Sequence, residues 1–187
     1  MMKRIFDILM ALMATLFLLP VIIIISLLIK LTSKGPILHW SERVGKNNQT
    51  FQMPKFRTML QNTPPLATRL MENPYEYLTQ MGSFLRRTSL DEIPQLWSIL
   101  RGDMSFVGPR PLIIQEEDFL TLRTQEGIHC CVPGLTGWAQ INGRDCVTLE
   151  EKIALEKEYA ERQTFLFDLY ILLKTVPKVF CKQGISH

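Results

Sequence analysis

The sequence predicts an α+β chain, mainly helical, with an N-terminal membrane anchor followed by a small β-hairpin. Three observations carry this. From Ile5 to Leu31 the chain is almost continuously apolar, interrupted only by the charges of Asp7 and Lys30. Two β-prone stretches, ILHWSERV and TFQMPKFRTM, flank the turn-forming GKNNQ. The remainder alternates helical periodicity with glycine- and proline-rich connections.

Composition narrows the class. A chain of 187 residues suits one domain, or one domain plus an anchor. A hydrophobic content of 47% is high for a soluble protein, and the excess sits near the N-terminus. The net charge of +3 is too weak to argue for nucleic acid, but suits an anionic membrane surface or phosphate-bearing substrates. Cys130, Cys131, Cys146 and Cys181 form no CxxC pair, and no histidine stands at ligand spacing from them. They read as reduced cytosolic thiols rather than a zinc site.

The apolar run exceeds the roughly 20 residues that cross a bilayer. No small-residue cleavage site precedes Gly35, so it reads as a permanent anchor over residues 1–34, with residues 35–187 as the domain it carries. Pro20 stands in its middle, where a proline removes a backbone hydrogen bond and crowds the carbonyl four residues back. Basic residues flank both ends, Lys3 and Arg4 before and Lys30 and Lys34 after, so charge favours neither orientation. Hydropathy alone favours a kinked helix that spans the bilayer. A helix that bends at Pro20 and returns to the same face satisfies both ends.

After the anchor, Gly35-Pro36 ends the helix. The hairpin follows, with Gly45 and Asn47-Asn48 in its turn and Pro54 confining the second strand to an edge. Residues 61–74 read as loop and residues 75–87 as a short helix. TSLDEIPQLWSILRGD reads as a helix, MSFVGPRPL as extended, LIIQEEDFLTLRTQEG as a helix and VPGLTGWAQINGRD as a glycine-rich loop. TLEEKIALEKEYAERQ opens with a capping box, Thr148 to Glu151. The last stretch, TFLFDLYILLKTVPKVFCKQG, is amphipathic and suits either the core or the membrane interface.

Three segments carry candidate chemistry. In Ser89-Leu90-Asp91-Glu92-Ile93-Pro94, Ser89 and Glu92 match a capping box, a purely structural role. With Ser89 as cap, however, Pro94 falls at the fifth helical position; with Asp91 as cap it falls in the first turn, where proline is tolerated. In either case two carboxylates meet at a helix start, one suited to nucleophilic attack and one to a metal or a proton. In Gly108-Pro109-Arg110-Pro111 two prolines restrict an arginine suited to bidentate phosphate binding, with Lys55, Arg57, Arg86 and Arg87 as further cations. In PGLTGWAQINGR the glycines allow close backbone approach, Trp138 can stack on a base, and Gln140, Asn142 and Arg144 offer polar contacts.

These segments, in this order, resemble the bacterial sugar transferase family, the monotopic phosphoglycosyl transferases. The resemblance rests on KRIFDILMA, the proline-centred apolar run, PKFRTM, RRTSLDEIPQLWSILRGDMSFVGPRP, PGLTGWAQINGR and the closing ISH, and so covers essentially the whole chain. It implies an enzyme on the cytosolic face of the bacterial inner membrane. Such an enzyme moves a sugar-phosphate from a UDP-sugar to undecaprenyl phosphate, releases UMP, and requires Mg²⁺, with Mn²⁺ as an alternative. By resemblance Asp91 is the nucleophile and forms a phosphosugar-enzyme intermediate, while Glu92 supports the metal or the proton. Lys55, Arg86 and Arg110 contact phosphate, and Gln140 and Arg144 join the substrate site. The family's anchor is a re-entrant helix broken at proline, here Pro20, with amphipathic helices along the interface. That arrangement replaces the spanning helix that hydropathy favours.

Three positions depart from the family pattern. Leu19 replaces the usual serine before the anchor proline, Val132 replaces the usual basic residue before PG(I/L)TG, and Asp145 follows NGR where asparagine is usual. None lies in the dyad, so activity is expected. A catalytically inactive membrane scaffold is the rival reading, and the exposed apolar helices hint at a homodimer. No motif in the sequence identifies the sugar.

Overall fold

The computed structural model describes residues 2–64, 73–143 and 148–181. Arg144, Asp145, Cys146 and the closing Ile185-Ser186-His187 lie outside them. The elements are α1 (Met2–Thr32), β1 (Leu38–Val44), β2 (Thr50–Phe56), α2 (Gly82–Thr88), α3 (Leu96–Arg101), β3 (Ser105–Val107), α4 (Glu117–Gln125), β4 (Gly134–Thr136), α5 (Trp138–Asn142), α6 (Leu149–Arg162) and α7 (Phe165–Cys181). Helix dominates, as the sequence predicts.

α1 runs without interruption and contains Pro20. At 31 residues it is about 46 Å long, more than the roughly 30 Å of a bilayer's hydrocarbon core. Leu16 is 75% and Phe17 82% exposed, with Leu12, Met13, Ile23, Ile24 and Leu31 also open. Large apolar side chains exposed along such a helix require lipid rather than water around them. The protein is therefore membrane-associated.

Chain contacts divide the molecule into two units. One comprises residues 11–41 and 53–97. Its core joins Ile25 and Ile29 of α1 to Phe56 of β2 and Leu85 of α2, with Ile37, Met81, Leu90 and Ile93 packed around them. Arg57 is buried here and closes the C-terminal end of α1. Its guanidinium donates to the carbonyls of Lys34 (2.5 Å) and Ser33 (3.0 Å) and to Ser33 Oγ (2.7 Å). These carbonyls follow directly on the last helical residue, Thr32, where the chain leaves the helix. Gly35 makes the approach possible: its φ is +118°, and a Cβ there would stand 2.0 Å from Arg57 Nη1.

The other unit comprises residues 1–10, 42–52 and 98–187. Its core is Val107, Ile141, Tyr159, Phe167 and Ile171, with Trp138 packed against it. β3 and β4 pair in parallel, Ser105 with Gly134 and Val107 with Thr136. The first turns of α1 are stitched into this unit. Lys3 Nζ donates to Val107 O (3.0 Å) and Asp168 Oδ2 (2.5 Å), and Arg4 caps α3 through the carbonyls of Ile99 and Leu100. Buried Asp7 accepts from Phe106 N–H. Tyr159 donates its hydroxyl to Asp168 Oδ1 and Val107 O, and burial together with the Asp168 charge pushes that phenol well above its ordinary range. Arg123 and Glu156 form a buried bidentate pair; burial pushes the Glu156 carboxyl up and Arg123 opposes it.

Several local expectations hold. The hairpin forms, and Asn47 and Asn48 take positive φ in its turn. The Thr148–Glu151 capping box closes in both directions. Others are corrected. Residues 75–87 are a 3-10 turn (Pro74–Tyr77) and then α2, because Gly82 N–H bonds Thr79 O and starts the helix late. The stretch after Arg87 is not one helix: a 3-10 segment (Leu90–Gln95) precedes α3. The glycine-rich stretch is β4 and α5 rather than loop. Its glycines serve packing, since a Cβ on Gly134 would stand 2.0 Å from Gly108 N and one on Gly137 2.1 Å from Gly108 O.

Candidate active site

The dyad is delivered by a backbone reversal. Ser89 caps α2 in the left-handed region (φ 56°, ψ 17°), with its N–H turned to the carbonyls of Arg86 and Leu85. Its own carbonyl accepts from Glu92 N–H at 3.2 Å. Positive φ at a serine costs on the order of 1 kcal/mol and concentrates at functional sites. This geometry also corrects the capping expectation. An N-cap is extended, Ser89 is not, and its side chain caps nothing. Glu92 is engaged elsewhere, and Pro94 takes the fifth place after Ser89 within the 3-10 segment.

Four of the sequence-predicted site residues then meet. Lys55, near the end of β2, places Nζ 2.7 Å from Glu92 Oε1. Asp91 is 9% exposed. Burial pushes its carboxyl up to about 6; the neighbouring Glu92 charge adds to the rise, while Lys55 and Arg86 oppose it. Arg86 of α2 is itself half-buried. Desolvation lowers its pKa and Asp91 counters. Two carboxylates and two cations, partly withdrawn from water, thus occupy one turn of chain and the strand end beside it. A carboxyl raised to about 6 is still ionised at neutral pH and suits nucleophilic or proton-transfer work.

No group of three or more His, Cys, Asp or Glu able to enclose a metal exists among the described residues. Mg²⁺, however, is usually held by one or two carboxylates, with water and substrate phosphates completing its octahedron. Asp91 and Glu92 fit that mode, whereas they do not fit a protein-enclosed zinc or calcium site.

The remaining candidates divide. Arg110 is exposed between buried Pro109 and Pro111 and belongs to the other unit, as does Gln140. Gln140 lies on α5, its amide oxygen and nitrogen buried and without hydrogen-bond partners among the described residues. Arg144 lies outside the described residues. Arg57, counted among the cations, is a structural cap. Trp138 is half-buried in the protein's own packing: its Nε1–H donates to Glu158 Oε2 (2.6 Å) and its ring lies 5.1 Å from that of Phe167. A cavity of about 480 Å³ between Val44, Thr50, Ile114, Leu120 and Thr124 has no titratable side chain in its lining. Sequence reasoning missed Thr58. It is buried, and its Oγ1 accepts from Arg86 Nε at 3.0 Å. Nothing in the local pattern around it signals that contact.

Comparison with known proteins places the whole chain in one family. The chain matches the bacterial sugar transferase family over residues 1–182. It is 38% identical to the exopolysaccharide production protein ExoY of Sinorhizobium fredii, covering 97% of this chain and 87% of that protein. It is 39% identical to an uncharacterised sugar transferase, EpsL, of Bacillus subtilis, covering 99% and 90%. It is 37% identical to the UDP-glucose:undecaprenyl-phosphate glucose-1-phosphate transferase of Escherichia coli, covering 97% of this chain and 41% of that larger protein.

Proposed function

Because the chain belongs to the bacterial sugar transferase family, we propose that it transfers a sugar-1-phosphate from a UDP-sugar to undecaprenyl phosphate and releases UMP, acting at the cytosolic face of the inner membrane. It is a sugar-phosphate transferase to a lipid carrier, as its relatives' names state of them. The observation that carries the finer reading is the partly buried cluster of Asp91, Glu92, Lys55 and Arg86.

The chemistry follows from the residues. A carboxylate oxygen of Asp91 attacks the sugar-bearing phosphorus of the donor. The bond from that phosphorus to the bridging oxygen breaks, and UMP leaves with the electron pair. An oxygen of the polyprenyl phosphate then attacks the same phosphorus, and the aspartyl–phosphorus bond breaks to regenerate the carboxylate. Phosphoryl transfer spreads negative charge over the equatorial oxygens, so positioned cations carry much of the catalysis. Arg86 and Lys55 supply fixed positive charge at the dyad. Mg²⁺ bound by Asp91 and Glu92 would neutralise diphosphate charge and favour the leaving group. Arg110, Gln140 and Arg144 are proposed substrate contacts on resemblance.

The re-entrant arrangement of α1 is proposed on the resemblance, and polar ties hold each end of the helix within its own unit. Lys3, Arg4 and Asp7 bond polar groups at its start, and Arg57 bonds the carbonyls of Ser33 and Lys34 just beyond its end. Both ends are thus anchored by ionisable side chains, and the apolar exposure lies between them. Leu19 supplies no hydroxyl, and Ser26 bonds Ile22 O, downstream of the proline. A bend at Pro20 would therefore rest on the proline itself.

The test is UMP release from a panel of UDP-sugars with undecaprenyl phosphate and Mg²⁺, comparing wild type with Asp91→Asn. Metal-dependent release that the variant lacks supports the reading and identifies the sugar. Release unchanged in the variant removes Asp91, and no release with any donor favours the inactive scaffold.

A further inference from the structure

We propose that Thr58 is a positioning residue for the diphosphate clamp: its buried hydroxyl fixes the guanidinium of Arg86 so that the two terminal nitrogens face the donor's phosphates. This rests on the transferase reading above.

Three observations converge on Thr58. Its Oγ1 takes the Arg86 Nε–H at 3.0 Å. That bond occupies the inner edge of the guanidinium and leaves Nη1 and Nη2, the pair that grips two phosphate oxygens at once, with no hydrogen-bond partner among the described residues. Thr58 is itself 7% exposed and held firmly. Its carbonyl accepts from Thr79 N–H (2.9 Å) and Thr79 Oγ1 (3.3 Å). Gly82 brings the start of α2 against the same carbonyl, because a Cβ there would stand 2.1 Å from Thr58 O. Thr58 therefore touches the helix at Gly82 and again, one turn later, at Arg86. The side chain and the helix that carries it are referenced to one residue.

The neighbours of Thr58 explain why this matters. Lys55 reaches Glu92, Arg57 closes α1, and Thr58 orients Arg86. The end of β2 thus sets both cations of the site. A long arginine has several rotatable bonds, and a clamp not fixed beforehand loses that freedom when donor binds. Fixing Nε removes most of that cost and sets the plane of the fork.

The experiment is steady-state kinetics of UMP release by the full chain, with UDP-glucose tried first and then the other UDP-sugars. Thr58→Val keeps shape and removes the acceptor; Thr58→Ala runs beside it in case the valine does not fold. The expected result is a rise in donor KM of about ten-fold, larger than the accompanying fall in kcat. Thr58→Ser restores KM. In an Arg86→Met background Thr58→Val adds less than about two-fold, because its effect passes through Arg86. An unchanged KM, or a multiplicative loss in that background, overturns the proposal while leaving the transferase reading intact. No turnover by wild type overturns both.

Discussion

The ammonium of Lys55 stands 2.7 Å from Oε1 of Glu92, so one cation is committed to the second carboxylate of the dyad while its charge also acts on the first. Removing it has a signed consequence. Lys55 holds the Asp91 carboxyl below where burial alone would put it. Lys55→Met is expected to move the acid limb of the rate profile to higher pH. A profile measured on the variant that stays in place would show that Lys55 does not act on Asp91.

In the wild-type protein that limb should fall near the Asp91 value of about 6. The nucleophile must be ionised, so kcat/KM for the donor should drop about ten-fold per pH unit below it and level off above. A profile flat from pH 5 to 8 would contradict this assignment.

Stability runs the other way. The folded-state pKa of Asp91 is raised from 3.8 to about 6, so the folded protein binds this proton more tightly than the unfolded chain. The stabilisation is full below about pH 3.8 and is lost as pH rises through about 6. At pH 8 the ionised, buried carboxylate is a liability of about 1–3 kcal/mol. Asp91→Asn should therefore be inactive, with a loss of at least about a thousand-fold, and yet melt higher than wild type at pH 8. A variant that is inactive and melts lower would place the defect in folding.

Gly35→Ala should destabilise by about 1–3 kcal/mol, since it forces a side chain into positive φ and against Arg57 Nη1 at 2.0 Å. Thermal unfolding in detergent reads this. A melting temperature equal to that of wild type would mean that Arg57 does not need its place at the end of α1.

Arg123→Met should cost about 3–5 kcal/mol by stranding the buried Glu156 carboxylate, and a matched Arg123→Met/Glu156→Leu pair should recover most of it. A double variant no better than the single would show that the loss is packing rather than charge.

What was legible in the sequence follows interaction range. The hairpin turn at Asn47-Asn48 and the Thr148 capping box are set by residues within a few positions, and both form as read. The start of the dyad segment is ambiguous locally: Ser89 and Glu92 fit a cap, but Ser89 turns left-handed in closing α2, and Glu92 goes to Lys55, 37 residues away. The pairing of β3 with β4 was hidden for a similar reason, since its glycines signal a loop locally while serving close backbone packing across the chain. Lys3 and Asp168 lie 165 positions apart, and their bond has no local signature. Lys55 and Arg86 stand in the sequence among several candidate cations and only the resemblance singles them out, whereas Thr58, which fits no catalytic pattern, is visible only in the geometry.

The most direct test of the central claim is the intact mass of the purified protein after mixing with its UDP-sugar and Mg²⁺ in the absence of lipid acceptor. The account predicts a gain of one phosphosugar per chain, carried on Asp91, with one equivalent of UMP released, and neither in Asp91→Asn. Full turnover when undecaprenyl phosphate is added, with no adduct formed before it and turnover retained in Asp91→Asn, would contradict it.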